Sequence, residues 1–128
     1  MPDFTKSFLK AMDLLIGGQL TAAIAALELE PADSVSLASA KSNLAIAKFR
    51  LGDLTGAVGA AEESIRLFES HPEINPYWIQ AGRTLGDSLI ELGRVTESHA
   101  AFERACGLAQ LFIDASGIRV GSRASVVR

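Results

Sequence analysis

Small and bulky apolar residues recur in one arrangement around three glycines of the 128-residue chain. The glycines are Gly18, Gly52 and Gly93, and the two intervals are 34 and 41 residues long. Small residues stand seven positions before each glycine and five after it: Ala11, Ala45 and Gly86, then Ala23, Ala57 and Ser98. Bulky apolar residues stand three positions before it: Leu15, Phe49 and Ile90. Self-similarity at such intervals predicts a structural unit that occurs three times.

Each glycine is followed three positions later by a threonine, as in the stretch Gly52-Asp53-Leu54-Thr55. Glycine readily adopts the left-handed conformation that ends a helix, and threonine can cap a helix by accepting a bond from a free backbone N–H. Small residues on both sides of the turn let two helices cross at close range. Each unit is therefore predicted to be an antiparallel helix pair, with Thr21, Thr55 or Thr96 as the cap of its second helix.

The pattern predicts an all-α fold. The predicted helices span residues 3–17, 21–30, 34–51, 55–70, 76–92 and 96–115. Two prolines interrupt the chain before the fifth helix, where Asn75 is a plausible cap with Pro76 in the first turn. The predicted domain covers residues 1–116, with repeats at about 3–31, 34–71 and 76–115. A flexible basic tail is predicted for 117–128, which has three arginines and no acidic residue.

Composition supports a folded helical protein. Hydrophobic residues make up 48% of the chain and charged residues 21%, which is too apolar for disorder. Twenty residues are alanine, the strongest helix former, and only 6% are aromatic. The formal net charge is −3, so no general attraction to nucleic acid is expected.

The cysteine count and hydropathy indicate a soluble cytoplasmic protein. Cys106 is the single cysteine, which excludes an internal disulfide and suits a reducing compartment. The first 18 residues have the pattern of an amphipathic helix and not of a signal peptide, since Asp13 interrupts their apolar run. No window approaches the roughly 18 apolar residues that a membrane-spanning helix needs. We expect no membrane association.

Residues 43–65 (NLAIAKFRLGDLTGAVGAAEESI) and 84–105 (TLGDSLIELGRVTESHAAFERA) resemble the tetratricopeptide repeat family. The resemblance covers about residues 4–115 and implies a right-handed superhelical stack of three antiparallel helix hairpins. There are departures from the family pattern. Lys10 replaces a large apolar residue, Ser98 replaces an alanine, and the proline that usually closes a repeat is displaced to Pro72.

The resemblance also implies a concave groove for partner peptides, formed by the first helix of each pair. Its expected residues are Phe8, Met12, Leu15, Asn43, Ile46, Phe49, Arg83, Asp87 and Ile90. Only Asn43 matches the set with which some members clamp a carboxylate, so an apolar floor is the expected feature. The alternative is that several of these side chains pack between neighbouring helices, since apolar stripes at helical spacing are usually core.

Enzymatic patterns are sparse, and no catalytic residue, metal site or cofactor is predicted. His99, Glu103 and Cys106 share one helical face, a spacing that could present metal ligands. A cysteine among alanines and leucines is more often a small core residue, and a single histidine among charges is usually solvated.

The leading hypothesis is therefore a non-catalytic adaptor or scaffold that binds a protein segment. The alternatives are a small regulatory or chaperone subunit that holds a secreted or unfolded client, and a small enzyme or metal protein. The last predicted helix is apolar around too much of its circumference to face one neighbour. We expect it to form a homodimer through Leu108, Leu111 and Phe112, or to be covered by the chain's own tail.

Overall fold

Six α-helices account for most of the chain in the computed structural model, which describes residues 4–32, 36–70 and 75–117. The helices are α1 (Lys6–Ile16), α2 (Leu20–Glu28), α3 (Leu37–Leu51), α4 (Leu54–Ser70), α5 (Pro76–Glu91) and α6 (Val95–Ser116). The described residues contain no strand. The predicted all-α fold is thus confirmed for this part of the chain, whereas the predicted tail beyond Gly117 lies outside it.

The three glycine turns have the same backbone geometry. Gly18, Gly52 and Gly93 have φ angles of 78°, 94° and 80°, in the left-handed region. The N–H of each glycine donates to the carbonyl three residues earlier, and the following N–H donates to the carbonyl five residues before it. This is the Schellman arrangement, which satisfies the last carbonyls of a helix. The recurring sequence pattern therefore corresponds to a recurring turn.

The predicted threonine caps are wrong. The second helix of each pair begins one residue before the threonine, at Leu20, Leu54 and Val95. The residue directly after the glycine already accepts the first helical hydrogen bond, as when Ala57 N–H donates to Asp53 C=O. Threonine thus lies inside the first turn. The Asp53 side chain supplies a cap by accepting from Gly56 N–H at 2.9 Å, whereas Gln19 and Arg94 make no such bond.

The small residues that flank the turns are all buried where the paired helices cross. Ala11, Ala23, Ala45 and Ala57 are each 0% exposed. In the last pair the two small residues also form a hydrogen bond, because Ser98 Oγ donates to the Gly86 carbonyl at 2.9 Å. A β-carbon on Gly86 would approach the Phe102 ring at 2.5 Å. Close helix approach therefore explains why these positions are small.

Every helix packs against the next one in the chain, but contacts beyond that are uneven. The odd-numbered helices also meet one another, α1 with α3 and α3 with α5. Within the described residues, no Cα atom of α2 lies within 8 Å of one in α4, and none of α4 lies within 8 Å of one in α6. One cluster of buried residues, mainly alanine and leucine, extends through all six helices. The odd-numbered helices thus form a continuous layer, whereas the even-numbered helices of the described residues are spaced apart. We call these two faces of the molecule the odd-helix side and the even-helix side.

The start of α5 agrees with its sequence signals. The Asn75 side chain accepts a hydrogen bond from Tyr77 N–H at 2.8 Å, and Pro76 occupies the first helical position. Proline is tolerated there because its missing N–H would have no helical partner. The cap fixes the position of Tyr77 and Trp78 at the start of the helix. Tyr77 faces α1 on the odd-helix side, and Trp78 faces α4 on the even-helix side.

Candidate groove on the even-helix side

Aromatic rings of the chain itself pack together at one end of the odd-helix side, where α1 and α5 begin. Phe4 and Phe8 stack with centroids 4.5 Å apart. Both rings meet Tyr77 of α5 edge-on, with centroids at 6.1 and 5.9 Å respectively. Phe8 is only 1% exposed. The beginning of α1 is thereby held against the beginning of α5, and these rings exclude a partner from that part of the expected concave groove.

Polar side chains join the same three helices. Gln80 Nε2 of α5 donates to Ser42 Oγ at 2.8 Å and to Asn43 Oδ1 at 2.9 Å. Asn43 Nδ2 donates to Met12 Sδ of α1 at 2.8 Å, and Ser42 Oγ donates to the Tyr77 carbonyl at 2.9 Å. Asn43 is therefore engaged on both sides of its amide and is 3% exposed. Its role is to connect α1, α3 and α5.

The expected groove residues divide into three groups by exposure. Phe8, Leu15 and Asn43 are buried; Met12, Ile46 and Phe49 are half-buried; Arg83, Asp87 and Ile90 are exposed. A buried side chain cannot touch a partner unless the fold opens. Phe8, Leu15 and Asn43 are thus core residues and not part of a solvent-facing floor, which corrects the expectation for these three.

The exposed group lies where the succession of odd helices ends. Ten residues before each turn glycine stand Phe8, Ser42 and Arg83, of which the first two are 1% and 0% exposed. The face of α1 is covered by α3 and that of α3 by α5, whereas no further helix follows α5 on this side among the described residues. Arg83 and Asp87 give this terminal face a polar, solvated character.

An open apolar groove lies instead on the even-helix side, between α4 and α6. Both helices pack on α5 with no Cα atoms within 8 Å of each other, and a channel of about 320 Å³ lies between them above α5. Its lining comes from all three helices: Ile65, Glu69, Trp78, Gly82, Leu85, Ala101, Arg104, Ala105, Gly107, Leu108 and Leu111. Gly82 is buried beneath α6, where an added β-carbon would lie 3.0 Å from that of Ala105.

Trp78 and two charged residues give the groove its chemical character. Trp78 stacks on Phe68 of α4 with centroids 5.7 Å apart and an interplanar angle of 11°. Glu69 lies on the α4 rim and Arg104 on the α6 rim, and both side chains are exposed. Neither forms an ion pair within the described part of the chain. The groove thus combines an apolar floor with an acidic residue, Glu69, and a basic residue, Arg104, that have no ion-pair partner among the described residues.

Two of the three residues predicted for self-association line this groove. Leu108 is half-buried and Leu111 is 53% exposed, whereas Phe112 is half-buried but outside the lining. Leu111 is thus a large apolar side chain that the chain itself covers only in part. The structure brings Leu108 and Leu111 together with Trp78, a residue that sequence reasoning did not select.

Other candidate chemistry is not assembled in the described residues. His99, Glu103 and Cys106 are all exposed on α6. Across residues 4–32, 36–70 and 75–117, no three His, Cys, Asp or Glu side chains are grouped so that they could hold a metal ion. No described helix has the length and hydropathy to span a bilayer.

Comparison with known proteins identifies no relative of this chain. The chain matches no protein-family model, no curated protein and no solved structure. The function must therefore be inferred from the residues and their arrangement alone.

Sequence reasoning missed the groove for an identifiable reason. Ile65, Trp78 and Leu85 belong to three different helices and have no motif in common. What brings them to one surface is the separation of α4 from α6, which is a tertiary property. The one local signal was the wide apolar circumference of α6, which did lead to Leu108 and Leu111.

Proposed function

We propose that this protein is a non-catalytic protein-binding module that receives an apolar helical segment in the groove between α4 and α6. The groove is the observation that carries the proposal. Two helices that pack on a third but are spaced apart from each other leave space beside it for part of a further helix, since packed helices lie about 8–10 Å apart. An amphipathic helix laid on Ile65, Trp78 and Leu108 would bury its apolar face there.

The architecture that we propose is a tetratricopeptide-like, right-handed stack of three helix hairpins. Support comes from the three equivalent Schellman turns and from the buried small residues around them. It also comes from the pattern in which each odd helix contacts the next odd helix. Helical-repeat proteins stack such units so that each contacts its neighbours and leaves extended surfaces for binding.

The groove is built for contact with protein and not for a reaction. Its two charged side chains lie on opposite rims, and its floor consists of apolar side chains and glycine. An adaptor role in the cytoplasm fits this surface together with the exposed thiol of Cys106, since free thiols persist in reducing compartments.

The proposal is tested with two matched variants. Leu111→Arg places a charge on the groove, and Leu51→Arg makes the same change at a side chain of α3 that is also 53% exposed. A partner captured with the wild-type protein would be purified and titrated against each variant by calorimetry. We expect Leu51→Arg to bind as the wild type does and Leu111→Arg to bind about tenfold more weakly or worse.

Trp78 provides a second readout, because it is the only tryptophan in the chain and it lines the groove. Its fluorescence should shift to shorter wavelength when a partner excludes water from the groove. Circular dichroism of both variants verifies that the helices remain. A purified partner that binds Leu111→Arg as tightly as wild type, without changing Trp78 emission, would exclude the groove as the binding site.

A further inference from the structure

The end of α6 forms an apolar ridge beside the groove that it borders. Leu111 is 53% exposed, and Leu108 lies one turn before it. Both side chains also line the groove between α4 and α6. One surface of the chain therefore presents an apolar channel and, next to it, a helix end with exposed apolar residues.

The charges on the two rims are self-complementary. Glu69 lies on α4 and Arg104 on α6, at opposite rims of the same groove, and neither has an ion-pair partner within the described residues. In a two-fold contact, a residue i of one copy meets residue j of the other, and j meets i. If α6 of a second copy enters the groove, its Arg104 approaches Glu69 of the first copy, and the reverse pair forms at the same time.

We infer that the helix received by this groove is α6 of a second copy of this chain, so that the protein forms a two-fold dimer. This inference rests on the proposed function, since it names the partner for the same site. In the dimer, Leu108 and Leu111 of each copy pack on Trp78 and the half-buried Ile65 of the other. Two Glu69–Arg104 pairs border this apolar centre and set the register of the two helices.

A second copy accounts for the apolar and the charged features with one contact. It covers the exposed Leu111 and fills the groove, and it brings an arginine to Glu69 and a glutamate to Arg104, neither of which has an ion-pair partner among the described residues. A dimer with a two-fold axis is also the commonest arrangement of soluble oligomers.

The first measurement is light scattering coupled to size exclusion, from low to high micromolar concentration. The 128-residue chain should have twice its single-chain mass of 13.5 kDa at high concentration. Trp78 emission should move to longer wavelength on dilution, as dissociation exposes the groove to water. Leu111→Arg should be monomeric, and the matched Leu51→Arg should remain dimeric.

Charge reversal then tests the pairing itself. Glu69→Arg brings two arginine–arginine contacts into the dimer, and Arg104→Glu brings two glutamate–glutamate contacts. We expect each change to raise the dissociation constant by about tenfold or more. An equimolar mixture of the two variants should dimerise again, since each mixed pair restores two opposite-charge contacts. Glu103→Arg, at an exposed residue of α6 outside the lining, is the control and should dimerise normally.

Three results would overturn the inference. A wild-type chain that is monomeric at every concentration excludes the dimer, and charge-reversed variants that weaken dimerisation without recovery on mixing exclude the two-fold Glu69–Arg104 exchange. A monomer whose Trp78 emission changes when residues 118–128 are deleted assigns the groove to the chain's own tail. The titration with a purified partner is independent of these measurements, so a monomeric protein that still binds a partner through Leu111 leaves the proposed function intact.

Discussion

The odd-numbered helices are joined by ring contacts and a chain of hydrogen bonds, whereas the even-numbered helices of the described residues have no Cα atoms within 8 Å of one another. On the odd side, Phe8 and Tyr77 bring α1 and α5 together in front of α3. On the even side, the separation of α4 from α6 leaves a groove with Trp78 in its floor. The chain's own side chains thus cover much of the odd-helix side, whereas an apolar groove stays open on the even-helix side.

This difference shows that a repeated unit need not present the same surface in every copy. Equivalent positions hold Phe8, Ser42 and Arg83, and their burial follows from whether another odd helix covers them. The family resemblance predicts a partner site on the odd side. Phe4, Phe8 and Tyr77 occupy part of that space here, although Ile90 of α5 is 44% exposed, and an open apolar groove lies on the other side.

The largest expected effect tests whether the odd side is closed. Phe8→Ala removes a ring that is 1% exposed and touches both Phe4 and Tyr77. Because it leaves a cavity where three helices meet, we expect a loss of about 3–5 kcal/mol in the free energy of unfolding. Urea denaturation followed by circular dichroism measures this loss.

The neighbouring leucine is the control for Phe8. Leu9 is 51% exposed on the same helix, so Leu9→Ala should change the free energy of unfolding by about 0.5 kcal/mol or less. If Phe8→Ala does not fold, Phe8→Leu retains most of the volume and still permits the measurement. Equal, small effects of Phe8→Ala and Leu9→Ala would show that the odd side is open, which would break the comparison.

The second prediction concerns the turns that orient both sides. Gly52 has a φ of 94°, so Gly52→Ala forces an L-residue into the left-handed region at a cost of about 1–2 kcal/mol. Gly59 lies inside α4, and a β-carbon there meets nothing within 4 Å. Gly59→Ala should therefore stabilise the fold by about 0.5–1 kcal/mol, since alanine is the better helix former. Thermal unfolding of both variants compares them directly.

The test is that the free energy of unfolding falls for Gly52→Ala and rises for Gly59→Ala. If both alanine variants stabilised the protein, Gly52 would not be held in the left-handed conformation. The three Schellman turns, and with them the common direction of the three helix pairs, would then be in doubt.

The recurring glycines and small residues were sufficient to predict the helices and the close crossings, because they express local backbone geometry and steric fit. The threonine caps failed because the turn is one residue tighter than expected, so that Asp53 and its equivalents take the capping position. The groove could not be predicted, since nothing in the neighbourhood of Ile65, Trp78 or Leu108 along the chain encodes how far α4 lies from α6. Its assignment to a partner stays a proposal.

The smallest expected effect concerns a charge pair at the start of α6, which contrasts with the unpaired Arg104 farther along the same helix. Arg94 Nη2 and Nε donate to Glu97 Oε2 and Oε1 at 2.6 and 2.8 Å. The hydrogen bond from Arg94 lowers the pKa of Glu97, and the attraction between the two charges lowers it further. Both side chains are exposed, so water and salt screen most of the interaction.

Glu97→Gln should therefore lower the melting temperature only slightly, at neutral pH and low salt. A carboxylate whose pKa is depressed by folding stabilises the native state above its unfolded pKa of about 4.3, and this contribution is lost as the pH falls through the lower folded pKa. The difference between variant and wild type should thus disappear in strong acid and shrink in high salt. Glu103→Gln, on the same helix and without an ion pair in the described residues, is the control for the salt dependence. If the drop in melting temperature of Glu97→Gln persisted unchanged in acid, the loss of the carboxylate charge would not be the cause of that drop. The Arg94–Glu97 ion pair could then not be compared with the Glu69–Arg104 contact, whose charge reversal is expected to raise the dissociation constant of the dimer.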